Sequence, residues 1–157
     1  MTVALYAGSF DPIHCGHLKV IEHVSRGYDD IVVAVLANPD KPSGLLDPEQ
    51  RLRLVEESTS HLPMVRSVRF HGLAVDLAQE VGATVLVRSA HKERANEVSM
   101  ATMNRNLTGI PTIFVPLDVR TRSISSSVIR RLIADGQSAA VESLVPGAVY
   151  RALTAAP

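Results

Sequence analysis

The stretch "VALYAGSFDPIHCGHLKVIEHVSR" (residues 3–26) decides the fold. Its first five residues form a short apolar run of the kind that reads as a buried strand. The segment "HLKVIEHVSR" (17–26) places Leu18, Ile21 and Val24 on one helical face. Between the two, Gly8 follows the strand and the helix begins near Gly16. A glycine at each end permits tight turning and close backbone approach. The free amides at the helix start make an anion site.

The same alternation continues along the chain. "DIVVAVLA" (30–37), "SVRF" (67–70), "ATVLVR" (83–88) and "PTIFVP" (111–116) read as strands. Helical patterns run through "DPEQRLRLVEEST" (47–59), "AVDLAQEVG" (74–82), "NEVSMATMNRNL" (96–107) and "SSSVIRRLIADG" (125–136), with a shorter helical tail. Asp47 followed by Pro48 is a good helix start, and Gly82 and Gly136 are good stops. The expected fold is α/β: one Rossmann-like, doubly wound, five-stranded parallel sheet with helices on both faces, a single domain over residues 1–157. Ligands in such folds gather beyond the carboxyl ends of the strands, which points to loops 8–16, 38–46, 71–74, 88–95 and 117–124.

Composition narrows the class. The 157 residues are 46% hydrophobic and 20% charged, with zero formal net charge. That balance disfavours nucleic acid as a partner. One cysteine, Cys15, allows no internal disulfide. No apolar run reaches the roughly 18–20 residues of a membrane helix. The start lacks the basic and long apolar regions of a signal peptide. The expectation is a soluble cytoplasmic protein with no membrane partner.

His14 and His17 are three apart, a spacing that turns both imidazoles roughly the same way. Each can donate to a phosphate oxygen, with charge gained as pH falls toward about 6.5 or where phosphate raises the pKa. An ordinary strand–turn–helix, a zinc site and a phosphate-handling nucleotide site are the competing readings. Zinc needs a third protein ligand, and the glutamate of an HExxH pair is missing, so no metal-ligating residue is assigned. The glycine spacing fits neither the dinucleotide fingerprint nor the P-loop. Farther on, "ISSSVIR" (124–130) sets three serines at a helix start, where hydroxyls and free amides make a second anion cradle, with Arg130 one turn in.

Together, "GSFDPIHCGH" (8–17) and "ISSSVIR" resemble the signatures of the HxGH nucleotidyltransferases. The middle of the chain, in "DPEQRLRLVEESTSHLP", "GLAVDLAQEVGATVLVR" and "MATMNRNL", is most similar to bacterial phosphopantetheine adenylyltransferases. The resemblance implies transfer of AMP from ATP to 4′-phosphopantetheine, giving dephospho-CoA and pyrophosphate, with Mg2+ on the nucleotide phosphates. It implies a homohexamer, and helices from about residue 125 that complete the nucleotide site. His17, Lys41 and Arg88 become the catalytic residues, His17 stabilising the transition state at the α-phosphate. Gly8, Ser9, Phe10, His14, His17, Glu97, Ser125, Ser126, Ser127 and Arg130 become ATP-binding. Ser9, Lys41, Leu73, Ala74, Arg88 and Asn104 fall on the acceptor side.

Four departures lie in substrate-facing loops. His14 stands where these relatives usually carry threonine. "RSAH" (88–91) replaces RGLR, so His91 takes the place of the second arginine, with Lys92 and Arg94 as alternative cations. "RANE" (94–97) replaces a longer acidic-aromatic segment. "RTRSISSS" (120–127) has Arg120 and Arg122 where an aromatic residue usually stands. These keep two alternatives open: a different phosphate acceptor, such as nicotinamide or nicotinate mononucleotide or a sugar or polyol phosphate, and a nucleotide-binding homologue without catalysis.

Overall fold

The computed structural model describes residues 1–40, 44–90 and 95–155. Along them strands and helices alternate: β1 (Val3–Gly8), α1 (Cys15–Val24), β2 (Asp30–Leu36), α2 (Pro48–Thr59), β3 (Val65–Phe70), α3 (Ala74–Glu80), β4 (Val85–Ala90), α4 (Ala95–Thr108), β5 (Thr112–Pro116), α5 (Ser126–Ala134) and α6 (Gly147–Thr154), with a 3₁₀ turn at Ser138–Val141. The strands pair in the order β3-β2-β1-β4-β5. All four pairings are parallel. The expected Rossmann-like sheet is therefore present.

The order explains where a ligand can sit. The chain winds outward from β1 through β2 and β3, then crosses back to β4 on the other side. The connections leaving β1 and β4 diverge, and a crevice opens above their carboxyl ends. Both β1–α1 and β4–α4 start at this point.

Strand residues alternate between faces. Ala4, Tyr6, Ile31, Val33 and Val35 pack with Ile21 of α1, Val55 of α2, Ile129 of α5 and Val149 of α6. Val3, Leu5, Ala7, Val32 and Ala34 pack on the other side with Leu77 and Ala78 of α3. Burial on both faces is why the central strands read as unbroken apolar runs.

Local signals set the ends of the elements. The Asp47 side chain accepts the Gln50 amide, and Gln50 returns a bond to the Asp47 N–H. Gly82 and Gly136 take positive φ angles of 66° and 71° just past α3 and α5, where other residues are strained. The main boundary correction is at α1. It starts one residue before Gly16, at Cys15, and it ends at Val24, short of Arg26. Among the described residues no helix is long and apolar enough to cross a membrane.

Candidate active site

The β1–α1 loop carries most of the predicted residues and is tightly constrained. After Gly8, Phe10 adopts a positive φ of 46°, uncommon for a bulky residue. Its buried ring lies edge-on to Tyr6 at 5.5 Å and to His17 at 4.9 Å between centroids. This packing holds the His17 ring from one side.

The two histidines form a reciprocal cap at the start of α1. His14 is the N-cap, and its Nδ1 accepts the N–H groups of Gly16 at 3.0 Å and His17 at 3.3 Å. His17 Nδ1 accepts the N–H of His14 at 3.2 Å. The rings stack with centroids 3.7 Å apart. An Nδ1 that accepts carries no proton, so each neutral ring holds its hydrogen on Nε2. Burial lowers the pKa of His14 to about 4. Burial and the neighbouring His14 hold His17 well below the usual histidine value. Burial therefore moves the gain of charge on both rings to lower pH than the ordinary histidine value near 6.5 and favours their neutral form near neutrality. Gly16 is required here, because a Cβ at that position would lie 2.8 Å from His14 Cε1.

Three cavities are lined by predicted site residues. The smallest, about 140 Å³, is lined by Tyr6, Gly8, Phe10, His17, Arg88 and Glu97, among others. Arg88 Nη1 donates to the Ala7 carbonyl at 3.3 Å, which ties β4 to β1 beside this cavity. The second, about 230 Å³, shares Arg88 and Glu97 and adds Asn104, Met100 and Leu86. The third, about 820 Å³, runs past Ser9, Asn38, Arg51, His71, Leu73 and Arg130. The first two bring together His17, Arg88, Glu97 and Asn104, residues up to 87 positions apart in sequence by their numbering.

At the α5 start the serines of the expected anion cradle also bond within the fold. Ser125 is the N-cap and accepts the Val128 N–H at 3.2 Å. Ser126 Oγ donates to the Pro12 carbonyl at 2.9 Å. Ser127 Oγ accepts from Arg130 Nη2 at 3.2 Å, while Arg130 Nη1 donates to the Asp11 carbonyl at 2.9 Å. Each serine hydroxyl is thus already used by the fold, and a phosphate could take only the remaining hydrogen-bonding capacity. Ala74 is half-buried against the Leu77 cluster, beside Leu73, which is exposed and lines the large cavity. Lys41, His91, Lys92 and Arg94 lie outside the described residues.

Sequence reasoning missed Asp11, Arg51 and His71. Asp11 was in plain sight inside the opening stretch. A carboxylate flanked by Phe10, Pro12 and Ile13, all of them apolar, is a signal of a buried, fully bonded acid. Among the described residues, no three His, Cys, Asp or Glu side chains gather as a metal cage.

Comparison with known proteins places these features in a family context. Residues 5–132 match the cytidylyltransferase-like family. A phosphopantetheine adenylyltransferase of Rhodopirellula baltica is 42% identical over 85% of the chain and 75% of its own length. One from Clostridium novyi is 37% identical over 96% of the chain and 94% of its own length. A putative nicotinate-nucleotide adenylyltransferase of Vibrio parahaemolyticus shares the fold at a TM-score of 0.71, with 17% identity, over 98% of the chain and 91% of that structure.

Proposed function

The chain belongs to the cytidylyltransferase-like family, within its phosphopantetheine adenylyltransferases, and we infer from this that it transfers the adenylyl group of ATP to 4′-phosphopantetheine in coenzyme A biosynthesis. A phosphate oxygen of the acceptor bonds to the α-phosphorus of ATP. The bond from that phosphorus to the bridging oxygen breaks, and pyrophosphate leaves with the electron pair. No protein nucleophile is needed, so positioning and charge stabilisation carry the rate.

The observation that supports the residue roles best is the meeting of His17 and Arg88 in one cavity beyond β1 and β4. His17 offers Nε2–H as a neutral, fixed donor to an α-phosphoryl oxygen. Its Nδ1 is already held by the His14 amide, so no reorganisation is needed as charge develops. Arg88 supplies permanent positive charge beside it. Lys41 joins them by resemblance. Gly8, Ser9, Phe10, His14, His17, Glu97, the serines 125–127 and Arg130 form the ATP side, and Ser9, Lys41, Leu73, Ala74, Arg88 and Asn104 the acceptor side. Glu97 is the one carboxylate lining the two smaller cavities among the described residues. That donor set suits Mg2+ held chiefly by phosphate oxygens, where it supplies charge neutralisation of the triphosphate.

A homohexamer is the proposed assembly. Support comes from α4, where Val98, Met103 and Leu107 are exposed along an apolar groove of about 440 Å³. Light scattering on the purified protein should return six protomers, and a monomer would overturn this. A cytoplasmic location fits a chain whose single thiol can form no internal disulfide.

The decisive test measures pyrophosphate release with Mg2+, each nucleoside triphosphate and a panel of phosphate acceptors. ATP with phosphopantetheine should be the best pair, and release only with another pair would sink this reading. In the same assay His17→Ala should lose roughly 10²–10³ in kcat, the scale of one lost transition-state donor. Cooperative unfolding should persist, and a wild-type rate in that variant would remove the assigned role.

A further inference from the structure

Asp11 is 5% exposed. Both carboxylate oxygens are bound by the exit of the β2–α2 loop. Oδ2 accepts the Leu45 N–H at 2.9 Å and Oδ1 accepts the Leu46 N–H at 2.8 Å. Arg51, in the first turn of α2, sets Nε 3.4 Å from Oδ1 and donates from the same nitrogen to the Leu46 carbonyl at 2.8 Å. A methyl group at Gly44 would overlap Asp11 Oδ2. On its other side, the backbone of the same dipeptide holds α5: the Asp11 carbonyl accepts from Arg130 and the Pro12 carbonyl from Ser126. Asp11, Gly44, Arg51 and Arg130 all line the cavity of about 820 Å³, together with Ser9 and Leu73.

We propose that Asp11 is a positioning residue for the acceptor: through Leu45, Leu46 and Arg51 it holds the β2–α2 loop exit against the β1 loop, and so sets how tightly the large cavity grips its ligand. This rests on the assignment of Ser9 and Leu73 to the acceptor side. The division of labour follows from the chemistry. The Asp11 side chain acts on the β2–α2 loop, whereas α5 is held by backbone carbonyls that a side-chain substitution leaves in place. The loop's two amides need two acceptors, and an ionised carboxylate supplies both in charge-assisted bonds. An asparagine supplies one acceptor and turns an NH₂ against the other amide.

The test compares the wild type with Asp11→Asn and Gly44→Ala. The second variant presses on the same contact from the loop side and keeps the charge. Pyrophosphate release gives the KM for each substrate, and hydrogen exchange follows the Leu45 and Leu46 amides. In both variants the amides should exchange faster. The KM for phosphopantetheine should rise at least about tenfold, the scale of one lost charged hydrogen bond, while the KM for ATP stays within about threefold. A role in stability alone would lower the melting temperature without splitting the two KM values. Equal rises in both, or none, would overturn the proposal. If Asp11→Asn does not fold, Gly44→Ala decides by the same split. Should wild-type protein prefer another acceptor, the functional reading fails first and the split is read with that acceptor. Silence with every acceptor removes both.

Discussion

His14 and His17 cap one another: each Nδ1 accepts the other's backbone N–H, at 3.2 and 3.3 Å, and the rings lie stacked between those bonds. The proton each ring can offer is thereby confined to Nε2. Fold and site chemistry are joined in this pair, because the bonds that start α1 also select the tautomer that faces the cavity.

The cap separates two substitutions at position 14. Threonine can accept the same amide at an N-cap, but alanine cannot. His14→Ala should therefore be less stable than His14→Thr by about 1 kcal/mol in urea unfolding near neutral pH. Equal stability of the two would show that capping is not the contribution His14 makes.

Stability should fall on mild acidification. In the unfolded chain both histidines titrate near 6.5, whereas burial lowers the folded value of His14 to about 4 and holds that of His17 well below the usual range. Below pH 6.5 the unfolded state therefore binds more protons than the folded state. The stabilising contribution is complete above that pH and is lost as pH drops toward the folded values. Each histidine steepens the loss by up to about 1.4 kcal/mol per pH unit. Urea midpoints between about pH 7.5 and about pH 5 would measure the slope, and His14→Thr should flatten it.

Arg130 and Ser126 give a third prediction. Arg130 bonds Asp11 and Ser127 with two different nitrogens, which a single lysine ammonium cannot reproduce with the same fork. Arg130→Lys should raise the KM for ATP more than that for the acceptor. Ser126→Ala leaves the Pro12 carbonyl without its donor and should cost about 1 kcal/mol of stability. Steady-state kinetics with each substrate varied in turn, beside thermal melts, would check both, and an acceptor-selective effect of Arg130→Lys would contradict the α5 assignment.

Much of the fold was legible because its causes are local. Val32, Val33 and Ala34 announce a doubly buried strand, Asp47 with Pro48 a helix start, and Gly136 a helix end. The β1 loop stood out as a candidate site for the same reason, since two glycines and two histidines sit within ten positions of a strand end. The spacing of His14 from His17 was visible in the sequence, but its hydrogen bond to the Gly16 amide was not. The bond from Ser126 to the Pro12 carbonyl was not legible because residues 12 and 126 are remote in sequence.

The sequence by itself determined the order of strands and helices and the βα opening at residues 3–26, since periodicity and capping act over a few residues, and it carried the motifs whose family resemblance implies the reaction class. The tertiary structure alone decided that burial lowers the pKa of both imidazoles, that α5 is tied to the β1 loop, and that Asp11 belongs to a loop 34 residues away. Burial and contacts between distant segments depend on the path of the whole chain. A residue type can supply a donor or an acceptor, but only the folded path determines which partner reaches it and whether water does.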